Sequence, residues 1–207
     1  MAVDYTLCLV ADADCARGRD LLDLVEAAVE GGATVVQLRA KTLSTRRFLE
    51  LGRRAAGRLA KLAVPLIIND RVDVALACGA AGVHLGQDDM PAAAARGILG
   101  SAKLIGISVN TVEEARAAEA AGVDYLGAGP AFATATKDTG LSVLGPECVR
   151  DIKRAVRIPV VAIGGVATGN AASLAEAGAD GIAVISAILR APDARRAAEE
   201  LRRSFRK

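Results

Sequence analysis

The sequence predicts a parallel (β/α)8 barrel built as a single domain over residues 1–207. Short β-branched runs alternate eight times, without reversal of order, with Ala-, Leu-, Arg- and Glu-rich segments of helical spacing, the pattern of βαβ units building a parallel sheet. Several runs, such as Leu66-Ile67-Ile68 and Val160-Val161-Ala162-Ile163, are apolar without alternation, as when both faces of a strand are covered. A length of 207 residues sits at the compact end of this barrel's range, which begins at roughly 200 residues.

The first run is Tyr5–Val10. The second, Thr34–Leu38, follows Glu30-Gly31-Gly32-Ala33, which offers glycine for a left-handed helix C-cap before strand entry. Pro65–Ile68, Gly82–Leu85 and Leu104–Ser108 are the third to fifth runs. Val123–Leu126 and Gly181–Ile185 follow the same helix-glycine phrase, at Ala121-Gly122-Val123 and Ala177-Gly178-Ala179, with Pro159–Ile163 between them as the seventh run. A doubly wound open sheet is the competing architecture, but neither Gly127-Ala128-Gly129-Pro130 nor Gly164-Gly165-Val166 continues as G-x-G-x-x-G, and no lysine follows Gly169 to make a P-loop. The basic terminus from Arg195 to Lys207 is interrupted by Glu199-Glu200 and reads as the solvated face of a helix.

Composition removes whole classes of chemistry. With one histidine and four cysteines (Cys8, Cys15, Cys78, Cys148) lacking C-x-x-C spacing, a conventional structural zinc site is absent and any hydrolytic triad would depend on His84. A net charge of +2 and five aromatic residues provide neither a basic field nor a row of stacking platforms for nucleic acid. No stretch approaches the ~18 apolar residues of a membrane span and no signal peptide is evident, so a cytoplasmic protein with reduced thiols is expected. A homo-oligomer is compatible with the sequence. His84, alone on a buried strand, reads as a satisfied core residue and is left outside the site.

In such a barrel the chemistry collects beyond the C-terminal strand ends. Gln37, Arg39 and Lys41 alternate on one side of the second strand. Helices cover the outside, so these heads point into the mouth, where two neighbouring cations call for an anion. Asp70 follows the third strand and Asp88-Asp89 the fourth; neighbouring strands are about 4.8 Å apart, so carboxylates just beyond the two strand ends can share one hard cation, Mg²⁺ when phosphates are present. Helix capping by Asp70, and by Asp88 or Asp89, is the competing role. Ser108 ends the fifth strand. The aperiodic stretch Gly129–Gly140 reads as a lid or binding loop whose Thr134, Thr136 and Lys137 suit phosphate oxygens. Gly164-Gly165 and Ser186, after strands seven and eight, suit a phosphate held by backbone amides, with a tight turn as the competing explanation for the glycines.

Taken together, Gln37-x-Arg39-x-Lys41, Ile68-Asn69-Asp70-Arg71, Val83-His84-Leu85-Gly86-Gln87-x-Asp89, Ile105-Gly106-x-Ser108, Gly129-Pro130-x-Phe132-x-Thr134-x-Thr136-Lys137, Ala162-Ile163-Gly164-Gly165 and Ile185-Ser186 resemble the thiamine-phosphate synthase family across most of the chain. That resemblance implies a transferase joining 4-amino-2-methyl-5-hydroxymethylpyrimidine diphosphate to 4-methyl-5-(2-phosphoethyl)thiazole, with release of diphosphate. It places Gln37, Leu38, Arg39, Ala40, Lys41, Asn69, Ser108 and Lys137 on the pyrimidine diphosphate, with Arg39, Lys41, Ser108 and Lys137 as the catalytic set. It places Thr134, Ala135, Thr136, Gly165, Ile185 and Ser186 on the thiazole phosphate, and one Mg²⁺ on Asp70 and Asp89. The chain departs from the family pattern at Ala133, where proline is frequent. A thiazole tautomerase-like barrel and a non-catalytic phosphate-binding barrel are the alternatives.

Overall fold

A computed structural model describes residues 3–134 and 143–206. Ala135, Thr136 and Lys137 of the expected loop lie outside them.

Among the described residues, the chain alternates strand and helix in the order β1 (Leu7–Asp12), α1 (Leu21–Glu30), β2 (Val35–Arg39), α2 (Thr45–Lys61), β3 (Leu66–Asn69), α3 (Val72–Ala77), β4 (Gly82–Leu85) and α4 (Ala92–Leu99). It continues with β5 (Leu104–Val109), α5 (Val112–Ala120), β6 (Tyr125–Ala128), α6 (Gly145–Ala155), β7 (Val160–Ile163), α7 (Ala171–Glu176), β8 (Gly181–Val184), α8 (Ser186–Leu189) and α9 (Ala194–Phe205). The strands are parallel and hydrogen-bonded in chain order, with β8 closing onto β1, so the sheet is a barrel and the open-sheet alternative is excluded.

Local chemistry explains the element ends. The carboxylates of Asp20 and Asp193 and the hydroxyls of Ser44 and Thr111 accept backbone N–H bonds at the starts of α1, α9, α2 and α5, each cap contributing about 1 kcal/mol. Gly32, Gly122 and Gly178 take positive φ after α1, α5 and α7, as the helix-glycine phrase requires. Helix α9 buries Ala194, Ala198, Leu201 and Phe205 and lines its wet face with the i,i+4 pairs Arg195–Glu199 (3.1 Å) and Arg196–Glu200 (2.9 Å), so the basic terminus is a solvated helix face.

Strands β1 and β6 are shifted by two residues from the sequence expectation, and the other strand boundaries agree with it within one residue. β1 runs two residues further, to Asp12, because Asp12 is in register with Arg39 and the two side chains form an ion pair. β6 begins two residues later than the run at Val123, since the Asp124 carboxylate accepts the Ile105 N–H at 2.7 Å and pairs with Arg96 at 2.6 Å, holding a bend at Asp124 before the strand.

Alternation within each strand divides the core. Leu9, Val36, Leu38, Ile68 and Leu85 face the helix layer. Cys8, Val10, Val35, Ile67, Tyr125, Val161 and Ala183 fill the barrel, with Tyr5 stacked on Tyr125 at a centroid distance of 4.8 Å. Room for Tyr125 is made by Gly106 on the adjacent strand, where an added Cβ would lie 2.2 Å from the Tyr125 Cζ. Gly106→Ala is therefore expected to cost about 1–3 kcal/mol, read as a lowered midpoint in urea unfolding; an unchanged midpoint would show that the ring has space to retreat.

The cysteines described are free thiols, three of them buried. Among the described residues no helix is long and apolar enough to cross a membrane.

Candidate active site

Continuing the inward alternation of the strands to their C-terminal ends brings Asp12, Arg39, Asn69, Ser108, Gly129, Ile163 and Ile185 to one mouth. There all of these but Asp12, together with the following loops, surround a cavity of about 620 Å³. Arg39, Lys41, Asn69, Asp70, Asp89, Ser108, Thr134, Gly165, Ile185 and Ser186 all line it. Gln37 lies one layer deeper, donating from Nε2 to Asn69 Oδ1 at 2.7 Å, which leaves the Asn69 amide nitrogen to face the mouth. Leu38 and Ala40 belong to the core between strands and helices, so any contact of theirs with a ligand at the mouth would be made by backbone. Ala135, Thr136 and Lys137 lie outside the described residues.

The cation arrangement adds partners that the sequence does not show. Arg39 and Lys41 do not stand as an unpaired couple, because each meets a carboxylate of its own chain. The Arg39 guanidinium pairs with Asp12, which is 3% exposed and also accepts the Asp14 N–H at 2.9 Å. The Lys41 ammonium, half exposed, pairs with Asp70. These carboxylates hold the two cations at the mouth, Arg39 firmly and Lys41 loosely.

Asp70 and Asp89 both line the cavity from adjacent strand ends, close enough for the Asp89 charge to act on Asp70. Burial pushes the Asp70 carboxyl above the ordinary carboxylate range; Lys41 opposes that shift and the Asp89 charge adds to it. Neither acid caps a helix. The N-cap positions of α3 and α4 are Arg71 and Pro91, without side-chain cap bonds, and the Asp89 carboxylate instead accepts the Gly86 N–H at 2.7 Å. Asp70 itself sits at φ 63° with its N–H bonded to the His84 carbonyl at 2.8 Å, a left-handed conformation that aspartate tolerates better than most residues.

The donor set suits Mg²⁺. Among the described residues no cluster of three or more His, Cys, Asp or Glu side chains forms, and two facing carboxylates, with the remaining positions left to water and phosphate oxygens, are the protein share that Mg²⁺ commonly takes. A divalent cation would relieve the share of the Asp70 shift that the Asp89 charge adds to burial.

On the opposite rim, Gly164 and Gly165 turn the chain sharply after β7, at φ 99° and 63°. A Cβ on Gly165 would lie 2.4 Å from the Ala133 carbonyl oxygen, so this glycine is required by backbone strain and by close packing together. The root of the β6–α6 loop is tied to the same turn, with Ala131 and Phe132 donating to the Ile163 and Gly164 carbonyls at 2.8 and 2.9 Å. Ser186 opens α8 beside it.

Three residues that the sequence reading left out belong here. His84 lines the cavity, its Nε2 2.9 Å from Ser108 Oγ and its Nδ1 3.0 Å from the Tyr125 hydroxyl, so it is satisfied, but by the site. Gln87 donates to the Ser108 carbonyl at 2.6 Å, and Asp12 holds Arg39. A sequence signal for Asp12 existed in the inward alternation Cys8-x-Val10-x-Asp12; for His84 it lay in Gly106 and Gly127 on the next two strands, which leave space for large inward rings.

The family model for thiamine monophosphate synthase matches residues 7–188. The chain is 50% identical over 200 residues to the thiamine-phosphate synthase of Chloroflexus aurantiacus, spanning 97% of this chain and 92% of that protein. It is 54% identical over 197 residues to the thiamine-phosphate synthase of Albidiferax ferrireducens, spanning 95% and 90%. Among solved structures, the thiamine phosphate pyrophosphorylase from Pyrococcus furiosus superposes with a TM-score of 0.90 at 42% identity, covering 99% of this chain and 96% of that one. With the barrel, the strand-end residues and these matches in agreement, the chain belongs to the thiamine monophosphate synthase family, a family of transferases.

Proposed function

We propose that this chain is a thiamine-phosphate synthase, condensing 4-amino-2-methyl-5-hydroxymethylpyrimidine diphosphate with 4-methyl-5-(2-phosphoethyl)thiazole to thiamine phosphate and diphosphate. The observation that carries the reading is the division of one cavity into two unlike rims. Arg39, Lys41, Asp70 and Asp89 occupy one; the glycine turn at Gly164-Gly165 and the start of α8 at Ser186 occupy the other. The first suits a diphosphate with its metal and the second a phosphomonoester, so the cavity can place two phosphorylated substrates with their reacting ends between them.

The aminopyrimidine is electron-rich and can stabilise a cation at its exocyclic methylene, so the proposed reaction is largely dissociative loss of diphosphate followed by capture of that cation by the thiazole nitrogen. That nitrogen already carries a lone pair, and no protein base is needed. Arg39, Lys41 and Lys137 are assigned to the departing diphosphate, Asn69 and Gln37 to the pyrimidine diphosphate below them, with Ser108 beside the reacting ring. One pair of unit charges about 4 Å apart is worth about 4 kcal/mol at an effective dielectric of 20, so positive charge placed in advance supplies a large share of the barrier reduction. Asp70 and Asp89 are assigned to Mg²⁺, which when bound supplies positive charge to the phosphate oxygens. Asp12 keeps the Arg39 fork oriented. Thr134, Ala135, Thr136, Gly165, Ile185 and Ser186 are assigned to the thiazole phosphate.

Product analysis separates this from the alternatives. Supplied with both substrates and Mg²⁺, the purified chain is expected to form thiamine phosphate. Isomerisation of a thiazole phosphate without coupling would establish the tautomerase reading, and ligand binding without turnover the silent barrel. For the phosphomonoester rim, Gly165→Ala is expected to raise KM for the thiazole phosphate about tenfold or more, since the Cβ displaces the Ala133 carbonyl and loses at least one charge-assisted bond. An unaltered KM in initial-rate measurements would move the thiazole phosphate elsewhere.

A further inference from the structure

We propose that Tyr125 and His84 form a buried relay that fixes the hydrogen-bond polarity of Ser108, holding its hydroxyl hydrogen toward the mouth as a donor to the pyrimidine diphosphate. The substrate half of this inference rests on the functional reading above; the relay itself rests on geometry alone.

The imidazole bridges two hydroxyls, with Nδ1 3.0 Å from the Tyr125 oxygen and Nε2 2.9 Å from Ser108 Oγ. Donor accounting selects one tautomer. Tyr125 is 4% exposed, and among the described residues its hydroxyl has His84 Nδ1 as its hydrogen-bond partner. If Nδ1 carried a proton, in the neutral ring or in the imidazolium, the phenol hydrogen would be buried without an acceptor, the costly form of an unmade bond. The phenol therefore donates to Nδ1, the ring proton sits on Nε2, and Nε2–H donates to Ser108 Oγ. Ser108 cannot return its own hydrogen to the ring and directs it into the cavity. Burial raises the Tyr125 phenol well above its ordinary range, so it stays a donor at all working pH values.

The barrel is shaped for this column. A Cβ at Gly106 would lie 2.6 Å from the Tyr125 hydroxyl oxygen, and one at Gly127 would lie 2.9 Å from His84 Cε1. Glycine inside a strand weakens it and marks a close approach; here two neighbouring strands give up side chains facing these two rings. From the other side, Gln87 fixes the backbone of Ser108 through its carbonyl. His84 and Tyr125 are thus positioning residues that act through Ser108.

The chain contains one histidine, so ¹⁵N-histidine labelling of this chain yields the resonances of this ring alone. The expected spectrum at neutral pH is that of a neutral ring protonated at Nε2; protonation at Nδ1, or at both nitrogens, overturns the relay. Tyr125→Phe, which keeps the ring and its stacking on Tyr5, should admit the Nδ1–H tautomer and lower kcat/KM for the pyrimidine diphosphate about tenfold, with KM for the thiazole phosphate unchanged. Added to Ser108→Ala, the same substitution should have no further effect, whereas a full additional loss on that background would show that Tyr125 acts through packing and overturn the inference. Should Tyr125→Phe fail to fold, the wild-type spectrum still decides the tautomer. A wild-type chain that forms no thiamine phosphate overturns the functional reading, while the spectrum continues to decide the relay separately.

Discussion

Asp70→Ala is expected to lower turnover at saturating Mg²⁺ on the order of 10²-fold or more, the scale of removing one preorganised electrostatic element from a transition state. Beyond the roughly 1–2 kcal/mol that alanine costs at the left-handed φ of 63°, the loss should be confined to function. Asp70 is held partly buried with its carboxyl pushed up by burial and by Asp89, and its partner Lys41 is half exposed, so little folding stability depends on the pair. The substitution also frees the Lys41 ammonium, so weakened binding of diphosphate itself is not expected. Rates measured across a Mg²⁺ titration, alongside a thermal melt, check both halves. Near-normal turnover would remove Asp70 from the metal and leave it only as the partner of Lys41.

Arg39→Met is expected to damage folding and catalysis together. It leaves the Asp12 carboxylate, 3% exposed, without its cation, and breaking one side of a buried pair costs about 3–5 kcal/mol, or about 10 °C in Tm for a chain of this size. Combining it with Asp12→Asn removes the stranded charge, and most of the stability should return while activity with the pyrimidine diphosphate does not. Recovery of activity in the double variant would show that Arg39 serves the fold alone. The same comparison tests why a cation assigned to diphosphate has a carboxylate beneath it. Asp12 fixes the guanidinium fork in advance, so less conformational freedom is lost when the leaving group arrives.

Much of this arrangement was legible from the order of residues. Inward alternation at Gln37-x-Arg39 and the placement of Asp70 and of Asp88-Asp89 beyond adjacent strand ends follow from strand periodicity and the spacing of neighbouring strands, both local rules that a linear pattern carries. What escaped were interactions set by register between strands. Asp12 was missed because β1 was expected to end at Val10, and only its register with Arg39 shows what extends it. His84 was set aside as a core residue, and its meaning depends on Gly106, Ser108, Tyr125 and Gly127 arriving beside it from two other strands. The pairing of Lys41 with Asp70 was hidden for the same reason: like-signed groups stand out in sequence, while their partners come from the next strand. Leu38 and Ala40 lie within the stretch assigned to substrate, yet the strand's own alternation turns Leu38 toward the helices.

The coupling reaction itself is the most direct test. In one time course with both substrates, thiamine phosphate and diphosphate should appear in equal amounts when Mg²⁺ is present and neither should accumulate appreciably when it is withheld. Diphosphate without thiamine phosphate, or no product under either condition, would contradict the assignment of this cavity to the joining of the two phosphorylated rings.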